Sequence, residues 1–388
     1  MYALVLPFNF VIEPSSSHNW DVGHVAPKGI NDGVFLSRSL KIDGSVGRVW
    51  RNPVQLALYR SSGVGRTGDK QWVGADIFGK HLGSVYASWI AFDGDASNVV
   101  FSVSTDHGAT FSPPKIVSKS TQPKFNGDPY VIEGPEGNVY VSYDTLPMKK
   151  GATTGAFQVI TSKDNGKTFS NPGRQISASI GPTPYFPDNF RDGTPYTVTV
   201  NPANGQLLMA FEKYDRITVK GSVWMTVSSD QGQSWSKPRQ VNDPLAPGDV
   251  FQPKIFAAQN GKYGVAFYDR RLACPVSDPI SSNVGKLNTC IDVTIQFYNT
   301  NGTSKGENRR VTHESWDPNV NPPQPGGLFG SSTFIGDYFG GAMTSNSDGA
   351  EAHLLFVSTS AAFQQGSTAG GGASPPYQQQ IYASVPVP

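Results

Sequence analysis

The chain has 388 residues, a net charge of +1, 16% charged residues, 42 glycines and 30 prolines. A charge this close to zero excludes the basic stripe that captures nucleic acid, and no apolar run reaches the roughly 18 residues that a membrane-spanning helix needs. Glycine and proline at this level, with 11% aromatics, fit many short strands joined by tight turns, which points to an all-β chain.

In chain order, the first ten residues are apolar but carry neither a basic leader region nor a cleavage site, and read as mature sequence. A worn repeat follows at Lys41-Ile-Asp-Gly-Ser-Val-Gly-Arg-Val-Trp50. The first clear pair of alternating segments is 71–76 and 84–89, and a compact motif comes after it: Ser104-Thr-Asp-His-Gly-Ala-Thr-Phe111. The same order returns with segments 129–132 and 138–143 before Ser162-Lys-Asp-Asn-Gly-Lys-Thr-Phe169. It returns again with 196–200 and 207–211 before Ser228-Ser-Asp-Gln-Gly-Gln-Ser-Trp235. Two more segment pairs, 254–258 with 263–268 and 338–343 with 352–357, complete the series. Period-two alternation marks strands with unlike faces. The motifs recur at about 60 residues, which fits one four-stranded unit with its loops.

The motif has its own chemistry. Serine and aspartate side chains bond nearby backbone N–H groups and close a tight turn. Glycine takes the backbone conformation that other residues resist. Asp106, Asp164 and Asp230 are therefore expected to hold turns, and His107 to be a surface turn residue. Between the last two strand pairs lie Cys274 and Cys290 in a Pro/Ser/Asn-rich stretch. Their pairing would close a loop worth about 3 kcal/mol in the chain-entropy model. With the sequon at Asn301, it points to a secreted protein.

Ser-x-Asp-x-Gly-x-x-aromatic, in three good copies, resembles the Asp-box (BNR) repeats of the sialidase-like β-propellers, and the resemblance covers most of the chain. It implies a single domain over 1–388. The implied fold is a six-bladed β-propeller of four-stranded antiparallel blades, or a seven-bladed one if residues 1–40 hold an extra unit. In that family the box joins a blade's third and fourth strands and is structural. Strand directions then follow. Strand starts and the loops after second strands gather at the end opposite the boxes, where ligands favour a propeller's mouth. His81 falls at the box end, and His353 reads as core.

The mouth end collects Asp69, Lys70, Asn126, Asp128, Arg191, Gln252, Lys254, Asp337 and Tyr338 from strand starts. Tyr143, Asp144, Glu212, Arg216, Tyr268, Asp269, Arg270 and Arg271 come from the ends of second strands. Arginine among carboxylates and tyrosines suits an acidic sugar, because its fork matches a carboxylate. Asp128, Tyr143, Arg191, Arg216, Tyr268 and Arg270 are the candidate substrate-binding residues. Tyr338, Glu212, Asp337 and His24 are the candidate catalytic ones.

Three functions fit. Some propellers of this broad type, the rhamnose-glucuronate lyases among them, are polysaccharide lyases. β-Elimination needs a cation on the uronate carboxylate, a base and an acid, which arginine, tyrosine and histidine supply. This reading is favoured at the sequence level, for a secreted monomer acting on an acidic poly- or oligosaccharide. The second is a sialidase-like hydrolase, whose tyrosine nucleophile enters the first strand of the last blade as Tyr338 does, with Glu212 as its activator. The chain departs from that pattern in lacking an early Arg-Ile-Pro-like motif. The third is a non-catalytic carbohydrate-binding propeller. No metal or cofactor is expected, since no His/Cys group has ligand spacing.

Overall fold

In the computed structural model the described residues are 1–6, 30–40, 47–60, 67–93, 96–118, 124–147, 155–170, 174–180, 190–191, 195–215, 220–244, 248–273, 290–318, 333–346, 349–358 and 379–388. Among them there is no helix. The chain divides into two compact units, Met1–Pro182 with Ser228–Trp235, and Thr183–Val227 with Ser236–Pro388.

The first unit holds three antiparallel sheets, each in simple chain order. One is β1 (Tyr2–Val5), β2 (Ile30–Arg38) and β3 (Val54–Arg60). The next is β4 (Gly68–Ala75), β5 (Val85–Asp93), β6 (Ala96–Ser104) and β7 (Lys115–Ile116). The third is β8 (Lys124–Glu133), β9 (Val139–Pro147), β10 (Gly155–Ser162) and β11 (Arg174–Ile180). The second unit opens with β12 (Phe190–Arg191), then has the sheet β13 (Tyr196–Val200), β14 (Leu207–Asp215), β15 (Lys220–Ser228) and β16 (Arg239–Gln240). It continues with β17 (Val250–Ala257), β18 (Tyr263–Asp269), β19 (Asp292–Tyr298) and β20 (Ser304–Arg310). β21 (Thr333–Phe334) pairs in parallel with β12, and β22 (Gly340–Asn346), β23 (Gly349–Ser358) and β24 (Gln379–Pro386) form a last, three-stranded sheet.

Within each unit the cores lie between successive sheets. Val34 and Leu36 pack with Val85, Ala87 and Trp89; Val99 and Phe101 pack with Val131, Val139 and Val141. In the second unit Leu208, Val223 and Met225 meet Ile255, Val265 and Phe267, while Val293 and Ile295 meet Leu354 and Phe356. β17 and β18 are buried almost throughout, because both of their faces are covered.

The three clear motifs fold alike, each between the third and fourth strands of its sheet. Ser104 Oγ donates to Asp106 Oδ1 at 2.7 Å, and the same serine oxygen accepts the Gly108 N–H at 2.8 Å. Asp106 also accepts the Thr110 N–H and hydroxyl at 2.9 and 2.6 Å. The same bonds recur around Asp164 and Asp230. Two successive left-handed residues make each turn, His107 and Gly108 at φ 59° and 76° in the first. Hydrogen bonds from the Thr110 hydroxyl and N–H, then Ser104, hold the Asp106 carboxyl well below its usual range. In the worn copy residues 41–46 lie outside the described part; Trp50 bridges Ser39 and is exposed.

His81 lies at the box end, in a turn whose Gly83 carbonyl accepts the His107 N–H. Its Nδ1 is 2.8 Å from Glu133 Oε1. His353 is corrected. It is not core: it faces outward on β23, with Nε2 2.9 Å from Thr344 Oγ1 and Nδ1 2.7 Å from the Tyr382 hydroxyl. Alternation assigns a strand two faces, but it does not say which face a neighbouring sheet covers.

Candidate functional site at the strand starts

A repeated backbone device shapes the strand starts. β4, β8 and β17 each break register against their partner, between Asp69 and Trp72, Gly127 and Tyr130, and Phe251 and Lys254. In every bulge one residue other than glycine is left-handed: Lys70 at φ 53°, Asp128 at 41° and Gln252 at 47°. Each such residue costs about 1–3 kcal/mol, and the bulge re-aims the side chains it carries. At the start of the last sheet the left-handed residue is a glycine, Gly336 at φ 98°, just ahead of Asp337 and Tyr338.

In the first unit these bulges gather carboxyls around one ammonium. Lys70 Nζ lies 3.6 Å from Asp128 Oδ1, both side chains largely buried. Asp144, at the end of β9, pairs with Gly127, and a Cβ on that glycine would sit 2.6 Å from Asp144 Oδ1. Burial, then the Asp128 charge, push the Asp144 carboxyl up to about 8. Asp32 reaches about 7, again through burial, although it accepts the Gly68 N–H at 2.8 Å. Asp32 Oδ1, Thr67 Oγ1, Asp144 Oδ1 and Thr145 Oγ1 are buried with no hydrogen-bond partner among the described residues. Tyr143 is buried, which raises its hydroxyl to about 12.

In the second unit the device ties a buried carboxylate to an exposed tyrosine. Glu212, buried at the far end of β14, accepts the Gln252 N–H. The Gln252 side-chain amide donates to the Gly336 carbonyl at 3.2 Å. Two residues on, Tyr338 is 41% exposed, and Asp337 is half-buried beside it. The Arg191 backbone pairs with Phe334, on the strand that leads into this turn. Lys254 is buried, and burial lowers its ammonium to about 8. It packs over Gly341, where a Cβ would come within 2.9 Å of its Cγ.

Other sequence candidates have structural duties. Arg270 is 0% exposed, and its Nη1 donates to Asp249 Oδ2 at 3.2 Å. A guanidinium so enclosed holds strand ends together and is turned away from any solvent-borne carboxylate. Tyr268 is fully buried and its hydroxyl accepts the Val357 N–H at 3.0 Å. Arg271 bridges Asp269 and Asp243 at 2.5 and 2.8 Å. His24, Arg216 and Cys274 lie outside the described residues, and Cys290 is buried ahead of β19. No group of His, Cys, Asp and Glu among the described residues is arranged to hold a metal ion. Asp32, Asp249 and Gly336 were missed in sequence. Asp32 sits in the unit whose repeat is worn, and Asp249 gave no pattern to mark it.

Residues 83–269 match the BNR repeat-like domain family. No curated protein matches the chain in sequence. Among solved structures, an α-L-arabinofuranosidase mutant from Fusarium graminearum is 11% identical, with a TM-score of 0.47 over 82% of this chain and 92% of that one. The NanB sialidase from Streptococcus pneumoniae, as a mutant, is 10% identical, with a TM-score of 0.44 over 74% of this chain and 56% of that one. An α-L-arabinanase from Penicillium chrysogenum is 15% identical, with a TM-score of 0.38 over 82% and 93%.

Proposed function

We propose that this chain, with a BNR repeat-like domain over residues 83–269, is a carbohydrate-active enzyme of the glycoside hydrolase kind, its sheets of three and four strands acting as propeller blades. One observation carries the reading. Tyr338 is presented to solvent on a turn that Gln252 ties to the buried carboxylate of Glu212. In the proposed reaction the Tyr338 oxygen bonds to the anomeric carbon as the glycosidic oxygen leaves, and the phenolic proton passes to Glu212. Water then cleaves the aryl glycoside, giving its proton to the carboxylate that protonated the leaving group, and Glu212 returns its proton to Tyr338. Asp337, half-buried beside Tyr338 in the same unit, is the proposed donor to the leaving oxygen.

Elimination at a uronate, favoured by sequence, has less support. It calls for a cation on the substrate carboxylate, and Arg270 is enclosed against Asp249. The experiment is a fluorogenic assay with an aryl sialoside and an aryl α-L-arabinofuranoside, alongside ultraviolet absorbance on uronate polysaccharides. Fluorophore release that Tyr338→Phe abolishes supports the hydrolase. Rising absorbance from an unsaturated uronate, unaffected by that substitution, rejects it.

A further inference from the structure

The turn between β4 and β5, residues 76–84, is held by polar bonds. Ile77 and Leu82 on it are 66% and 80% exposed, and Phe78 is half-buried, so apolar burial does little to dock it. Asp76 gathers the turn instead. Its Oδ1 accepts the Phe78 and Gly79 N–H groups at 2.8 and 2.7 Å, and its Oδ2 accepts the His81 N–H at 2.8 Å. The turn meets the end of β8 at Glu133, which is buried. Glu133 Oε1 lies 2.8 Å from His81 Nδ1 and 3.1 Å from the Tyr86 hydroxyl. Its Oε2 is buried without a donor. Within hydrogen-bonding reach of Glu133 stands the Asp76 carboxyl, so one acceptor faces another. A proton on Glu133 resolves the conflict, because its O–H then donates to the Asp76 carboxylate.

The surroundings favour that proton. Burial raises the Glu133 carboxyl most; the His81 hydrogen bond lowers it and Asp76 raises it again, to about 7. Burial works against an ionised Asp76, but hydrogen bonds from Glu133 and from the turn's own N–H groups outweigh it and keep that carboxyl below its ordinary range. Other charged and titratable groups stand further out. Lys80 is exposed on the turn, and Glu136, exposed on the β8–β9 turn, accepts the Tyr140 hydroxyl. His107 of the first motif packs against Gly83 and donates its N–H to the Gly83 carbonyl. The second motif presents an uncharged group, Asn165, 2.8 Å from the Tyr86 hydroxyl and 3.0 Å from Ser84 Oγ.

We propose that Glu133 and Asp76 form a pH-sensitive latch: in acid they share one proton and dock the 76–84 turn, with His81, onto the end of β8, and loss of that proton as the pH rises frees the turn. Whatever the state of His81, ionising Glu133 adds a second negative charge to the pair. Protonated Glu133 favours the docked turn, so the contribution is complete below 4.5, the ordinary value, and is lost as pH rises through about 7. The strands joined by the latch are those whose starts carry Lys70 and Asp128. It is independent of the hydrolase chemistry proposed for the second unit.

The test is hydrogen-exchange mass spectrometry of the whole chain at pH 5 and pH 8, with each rate divided by the intrinsic rate at that pH. Protection of the Phe78, Gly79 and His81 amides falls by about tenfold or more from pH 5 to pH 8, since each unit of carboxyl shift is tenfold in the docking equilibrium. Protection in β23 changes far less. Glu133→Gln keeps a donor for Asp76 without the charge, so its turn is as protected at pH 8 as at pH 5. His81→Gln retains the step. The proposal is overturned by constant protection in the native chain, by an equal fall in β23, or by a step that survives in Glu133→Gln. A step lost in His81→Gln also overturns it, by moving the switch to the imidazole. Should Glu133→Gln fail to fold, the native chain and His81→Gln still decide.

Discussion

The two ends of the strands use the same backbone conformation to opposite effect. At the box end His107, Asn165 and Gln231 are left-handed, each followed by a left-handed glycine, and serine and aspartate side chains satisfy the turn around them. At the strand starts Lys70, Asp128 and Gln252 are left-handed inside bulges. Around the first two, Asp32, Asp144, Thr67 and Thr145 keep buried oxygens without partners among the described residues. Strain offset locally marks a structural turn. At the strand starts the strain lies beside two buried carboxyls with unsatisfied oxygens, Asp32 and Asp144, whereas at the box end the one such carboxyl among the described residues, Glu133, sits outside the motif turns.

The largest effect expected from this contrast is on rate. Tyr338→Phe or Glu212→Gln lowers turnover by about 10²–10⁴-fold, the range for losing a nucleophile's activation, while the melting temperature moves little. An assay with either aryl glycoside reads this, and a loss of less than tenfold would remove the strand starts of the second unit from the chemistry.

Stability separates the ends next. Asp106→Ala or Asp230→Ala removes several bonds from one turn and is expected to cost about 1–3 kcal/mol, seen as a lower denaturation midpoint with turnover per folded molecule unchanged. The strained positions sharpen the distinction. Gln252→Gly relieves a left-handed side chain and should raise stability by up to about 1 kcal/mol. It also cuts the link to Gly336, so activity falls. His107→Gly gives the same gain at the box end with activity intact. Activity kept in Gln252→Gly would show the bulge to be merely tolerated.

The smallest effect is on pH dependence. The Asp144 carboxyl is raised in the folded chain from 3.8 to about 8. The protonated group favours the folded state, so its contribution is complete below pH 3.8 and is lost as pH rises through about 8. Urea midpoints should therefore decline over that window in the native chain and decline less in Asp144→Asn. Parallel curves would contradict the burial of this carboxyl.

What could be read in the sequence was contiguous. Ser104, Asp106 and Gly108 stand within five residues of one another, and their bonds are local, so the pattern gives both the turn and its place between third and fourth strands. The gathering of Asp128 with Asp144, and of Glu212 with Tyr338's turn, followed from strand direction. Three features escaped because they depend on distant partners. Asp249 encloses Arg270 across a loop, β12 pairs with β21 from the other end of its unit, and His353 faces outward because Tyr382 meets it there. The bulges escaped for another reason. Lys70, Asp128 and Gln252 are not glycines, so nothing in residue type announces a left-handed backbone.

The central claim, a covalent role for Tyr338, is tested most directly by incubating the chain with a fluorinated aryl glycoside that reacts quickly and hydrolyses slowly, followed by peptide mass spectrometry. The account predicts one glycosyl adduct, on the peptide containing Tyr338, absent in Tyr338→Phe. An adduct on another residue, or steady turnover of the unmodified substrate with no adduct at all, would contradict it.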